Sequence, residues 1–114
     1  MNLTSKSRHK IVNHLLAVMR APPQFSSPPE SVEVMPGGAA NLTCVAIGSP
    51  MPHVRWRVGS TEMTDEDSFG QAPIGRSDLA LVDIQDSVTY TCVASSILGS
   101  IEASAEIKVK GKML

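Results

Sequence analysis

From about residue 32 onward, apolar side chains recur at every second position, and before residue 21 they do not. Ala40–Ile47 places Leu42, Cys44 and Ala46 on one face and Asn41, Thr43 and Val45 on the other. His53–Val58 does the same, with Val54, Trp56 and Val58 inward and Arg55 and Arg57 outward. Asp78–Ile84 turns Leu79 and Leu81 in; Thr89–Ser95 turns Tyr90, Cys92 and Ala94 in; Glu102–Val109 turns Ala105, Ile107 and Val109 in. A short alternating run, Val32–Met35, precedes them. A period of two sends successive side chains to opposite faces of an extended chain, so each run predicts a half-buried strand.

Breaks between the runs carry turn chemistry. Pro36-Gly37-Gly38 ends the short run, Gly48-Ser-Pro-Met-Pro52 forms a stiff loop, and Ile97-Leu98-Gly99 makes a turn. Pro22, Pro23, Pro28 and Pro29 keep the approach extended and predict a linker running into an edge strand. Between Gly59 and Gly75 the alternation fails, and acidic Thr64–Gly70 predicts an irregular connection. Residues 21–114 thus make one all-β domain of about seven or eight strands, near the ~100 residues of a two-sheet sandwich.

Residues 1–20 stand outside that pattern and are expected to be a leader or disordered non-domain extension. Lys6–Lys10 followed by Ile11–Met19 has the outline of a signal peptide, but Asn13 and His14 interrupt it and no small-x-small cleavage site follows. Ile11, Leu15 and Val18 at helical spacing keep an amphipathic membrane-surface helix open as an alternative. Asn2-Leu-Thr is a sequon that matters only if this segment is exported.

Cys44 and Cys92 are the only cysteines; Trp56 follows the first by 12 residues and Tyr90 precedes the second by two. This order and spacing resembles the frame of an immunoglobulin-type β-sandwich, and the irregular stretch before Asp78 resembles its intermediate (I-set) form. The resemblance implies a disulfide from Cys44 to Cys92 joining the two sheets. It also implies a core built on Trp56, Tyr90 and Leu81, and a corner at Asp86–Tyr90 where the phenol bonds back to the backbone.

Charge narrows the partners. The first 20 residues carry Lys6, Arg8, Lys10 and Arg20 without an acid, while the remainder carries six basic and eleven acidic side chains, net −5. An acidic domain without a basic stripe is a poor ligand for nucleic acid or heparan sulfate. No run of 18 apolar residues occurs, so no segment of this sequence is a membrane-spanning candidate.

Catalytic chemistry finds no footing. The sixth residue after Cys92 is Leu98 and after Cys44 is Pro50, so the Cys-x5-Arg loop of a cysteine phosphatase is absent. No G-x-S-x-G elbow occurs. His9 and His14 have no metal-site spacing, and Asp65-Glu66-Asp67 is a charged loop before it is a calcium site. The expectation is a binding domain with no cofactor and no metal. Asn41-Leu42-Thr43 is a glycosylation sequon on an outward strand face. A glycan there would shield one sheet and leave the other for partners, where Arg55, Arg57 and Glu106 point outward. Ile97 and Leu98 at a turn either fold inward or contact a neighbouring domain or ligand.

Loop and turn segments carry a closer resemblance. Val34-Met-Pro-Gly-Gly38, Asn41-Leu-Thr-Cys-Val-Ala46, Gly48-Ser-Pro-Met-Pro52, Val54-Arg-Trp56, Pro73-Ile-Gly-Arg76, Tyr90-Thr-Cys-Val-Ala94 and Leu98-Gly-Ser-Ile-Glu-Ala103 resemble the third immunoglobulin domain of LAR-type receptor protein tyrosine phosphatases. The similarity covers about residues 21–110 and departs at Ser68–Gln71 and at His53. It implies an extracellular adhesion module in the ectodomain of a single-pass neuronal receptor, serving axon guidance or synapse formation. Its partners would be cell-surface proteins and neighbouring immunoglobulin domains, and phosphatase domains would lie elsewhere in the parent. An I-set domain of another neural adhesion protein, a small secreted binder and an intracellular muscle-type domain are the competing readings.

Overall fold

The computed structural model describes residues 20–63 and 73–111. Eight strands follow in order: β1 (Ala21–Ser27), β2 (Val32–Val34), β3 (Gly38–Ser49), β4 (His53–Val58), β5 (Thr61–Met63), β6 (Arg76–Ile84), β7 (Val88–Ser96) and β8 (Gly99–Val109). They form a three-stranded sheet, β1-β3-β6, and a five-stranded sheet, β2-β8-β7-β4-β5. All pairings are antiparallel except β2 with β8. The chain crosses between sheets at Pro28-Pro29, where neither residue has an amide to lose.

The predicted inward positions make the core. Leu42, Cys44 and Ala46 of β3 face Val54 and Trp56 of β4, Cys92 and Ala94 of β7, and Ala105 and Ile107 of β8, all essentially excluded from solvent. Leu79, Leu81, Tyr90 and Phe25 are half-buried around them. Cys44 and Cys92 are disulfide-bonded with their Cα atoms 6.5 Å apart, tying the middle strand of one sheet to the middle strand of the other. Trp56 stands opposite Cys92, and Ser77 opposite Cys44. The indole Nε1 donates to Ser77 Oγ at 3.0 Å, a polar cross-sheet link beside the covalent one.

Two segments differ from the sequence expectation. Ala21–Ser27 is not a linker: it is itself the edge strand, with Pro23 buried and Phe25 packed on the core. Its pairing with β3 shifts between Ala21 and Gln24, and the shift falls on Pro22 and Pro23, which cannot donate to a ladder. The stretch after Gly59 is not irregular throughout, because Thr61–Met63 returns as a short hairpin strand against β4. Acidic residues 64–72, including Asp65-Glu66-Asp67, lie outside the described residues, as do residues 1–19. Gly75 has φ +79°, a left-handed backbone that favours glycine, and the Met51 methyl packs where a Cβ would stand, 2.9 Å from it.

Candidate protein-binding face

Antiparallel register aligns the outward residues of the five-stranded sheet in rows. Arg55 lies across from Val93, which faces Glu102; Arg57 lies across from Thr91, which faces Ser104; Thr89 faces Glu106. The two arginines then pair across rows rather than along them. Arg55 Nη1 sits 2.9 Å from Glu62 of β5, and Arg57 forms an ion pair with Glu102 of β8. Arg57 also donates through Nε to the Gly59 carbonyl at 2.9 Å. The hydroxyls of Thr91 and Ser104 bond at 2.9 Å, and those of Ser95 and Ser100 at 2.6 Å.

Exposed ion pairs of this kind add ~0–1 kcal/mol to stability. Their consequence is positional: each guanidinium is held in one orientation and gives up less side-chain freedom when a partner arrives. Glu106 is exposed but set apart from the arginines, beside Ser31, Glu33 and Lys108, and its amide is tied to Ser31 Oγ at 2.9 Å. Sequence reasoning missed Glu62, because β5 carried no alternation to announce it. It missed Ser77 although the signal was present: extending the Leu79–Leu81 alternation back by one step places Ser77 inward.

The opposite sheet looks different. Asn41 is exposed on β3, across from Ala80, whose small side chain leaves room for a glycan. Next to it, Thr43 Oγ1 donates to Asp78 Oδ1 at 2.7 Å, and Arg76 donates to the same carboxylate at 3.1 and 3.3 Å. The Thr43 bond, followed by those from Arg76, holds the Asp78 carboxyl below its ordinary pKa of 3.8. The remaining predicted positions fall as follows: Tyr90 is half-buried against the core, Asp86 is exposed at the corner before β7, and Ile97 stands 80% exposed at the β7–β8 turn. Leu98 is 37% exposed, so the turn does not fold both side chains inward.

Residues 23–109 match the immunoglobulin I-set domain model. This chain belongs to the immunoglobulin I-set family. That fold is non-catalytic, and the chain is not an enzyme. Receptor-type tyrosine-protein phosphatase F of Homo sapiens is 53% identical over 98 residues, covering 86% of this chain but 5% of the relative. Tyrosine-protein phosphatase Lar of Drosophila melanogaster is 46% identical over 110 residues, 96% of this chain and 5% of the relative. The I-set domain is therefore similar to those of LAR-type receptors, whose immunoglobulin domains are extracellular, and its intact disulfide fits that compartment. The chain spans about one twentieth of these relatives' length. Among solved structures, the tandem Ig repeats of Dlar superpose with TM-score 0.68 at 28% identity, over 82% of this chain and 51% of that one. Titin domains in complex with telethonin superpose with TM-score 0.67 at 26% identity, over 80% and 49%.

Proposed function

We propose that this domain is a protein-recognition module of a LAR-type receptor phosphatase ectodomain, at the position of its third immunoglobulin domain, serving neuronal adhesion, axon guidance or synapse formation. It binds protein ligands at the cell surface through the outer face of β4, β7 and β8. One observation supports this most: the two ion-paired arginines, Arg55 and Arg57, stand on that face, while the other sheet presents the Asn41 sequon. An acquired glycan at Asn41 crowds the β3 face and directs partners to the arginine face. Arg55, Arg57 and Arg76 are each engaged by a carboxylate, which disfavours heparan sulfate as a ligand of these sheets.

The parental reading is tested by sequencing the full-length transcript. Fibronectin-type repeats, a membrane span and a Cys-x5-Arg phosphatase motif should follow this domain. A transcript continuing into kinase or muscle-type I-set arrays would overturn it.

A further inference from the structure

Asn41 stands among small apolar side chains on the outer face of the three-stranded sheet. Leu79 and Leu81 pack on the core, so Ala80 and Val82 face outward, and Val82 is 78% exposed. The same alternation on β3 turns Ala39 and Asn41 out, with Asn41 directly across from Ala80. Residues 37–42 and 79–82 contain no Asp, Glu, Lys or Arg. The acids that flank this stretch of β6 are already engaged: Asp78 accepts from Thr43 and Arg76, and Asp83 accepts from Gln85 Nε2 at 2.7 Å. A lone exposed valine needs no explanation, but this one borders the attachment point of a sugar.

The chemistry of that sugar fits the surface. An N-linked N-acetylglucosamine carries hydroxyls around its rim and C–H groups across its ring faces, so one face can pack on apolar side chains while the rim stays in water. Diagonal neighbours in a paired sheet lie about 7–8 Å apart, within reach of a group longer than a side chain. Asn41 has two such neighbours on β6. Asp78 is polar and held by Thr43 and Arg76; Val82 is apolar and exposed. Covalent attachment makes the contact intramolecular, so even weak packing is populated. We infer that the first sugar of an Asn41 glycan lies over Ala80 and Val82, which makes it a fixed part of the β3–β6 surface rather than a freely swinging shield. Taking Val82 out of water then stabilises the fold. This inference rests on the reading of Asn41 as glycosylated, given above.

The test uses the full 114-residue chain carrying Asn2→Gln, so that Asn41-Leu42-Thr43 is the one sequon left. One sample comes from a eukaryotic secretory host limited to oligomannose glycans and is trimmed by endoglycosidase H to a single N-acetylglucosamine. The other comes from the bacterial periplasm without glycan. Thermal unfolding should show the sugar-bearing form melting about 4 °C or more above the bare form. Val82→Ser should cut that difference to less than half. Ile47→Ser, an outward site further along β3 at 47% exposure, should keep it whole. In the sugar-bearing chain, nuclear Overhauser effects should join the sugar ring protons to the Val82 methyls. Equal melting of the two forms, a difference unmoved by Val82→Ser, its loss in Ile47→Ser, or no Overhauser effect to Val82 would each overturn the inference alone. A secreted chain with no glycan on Asn41 would overturn the glycosylation reading and the inference with it.

Discussion

Replacing Trp56 by alanine removes the largest side chain of the core at the point where the two sheets are joined. The residue is 4% exposed, stands opposite disulfide-bonded Cys92, and spends its N–H on Ser77. Trp→Ala in a packed core costs about 3–5 kcal/mol, from lost transfer energy and the cavity left behind. The Ser77 hydroxyl is only half-buried and can turn to water, so it adds little to that figure. A domain of this size holds roughly 5–13 kcal/mol in total at about 0.05–0.15 kcal/mol per residue. The substitution therefore removes roughly a quarter of the reserve or more. Urea unfolding followed by far-UV circular dichroism measures it; fluorescence cannot, because Trp56 is the sole tryptophan. Ser77→Ala should cost about 1–3 kcal/mol, the penalty of an indole N–H left without its acceptor. A Trp56→Ala protein that unfolds cooperatively within about 1 kcal/mol of wild type would refute this account of the core.

Reduction of Cys44–Cys92, which closes a separation of 48 residues, should lower stability by about 2–5 kcal/mol, read as a drop in the urea midpoint with reductant; an unchanged midpoint would contradict it. Asp78 has a depressed folded pKa, so its contribution is present above the unfolded value of about 3.8 and lost as pH falls below it toward the folded one. Asp78→Asn should accordingly flatten the acid limb of a stability–pH curve and leave its neutral region with the same slope. Expression in a secretory eukaryotic host should add a glycan removable by endoglycosidase, and Asn41→Gln should abolish the mass increment contributed by this site.

Much of this fold is legible in period-two alternation because a sandwich buries one face of each strand. Leu42, Cys44, Ala46, Val54, Trp56, Cys92 and Ala94 all lie inward as their spacing predicts. The edges are harder. Prolines at positions 22 and 23 imitate a linker, and the strand is visible only because Pro23 and Phe25 share a face against the core. β5 has three residues, too few for a period to register, and Glu62 was hidden with it. The arginine grid shows a further limit. Outward placement of Arg55 and Arg57 follows from alternation, but their crossed pairing to Glu62 and Glu102 depends on which strands are neighbours. The apolar surroundings of Asn41 likewise emerge only when β6 is set beside β3.

Binding by the intact ectodomain tests the central claim most directly. Surface plasmon resonance against an array of purified cell-surface adhesion ectodomains should find a partner whose affinity falls at least about tenfold, roughly 1.4 kcal/mol, in Arg55→Ala with Arg57→Ala. Asn41→Gln should leave that affinity unchanged. If Thr43→Arg or Ala80→Arg on the three-stranded sheet weakens binding while the arginine pair can be removed without effect, the recognition face is the other one, and the claim fails.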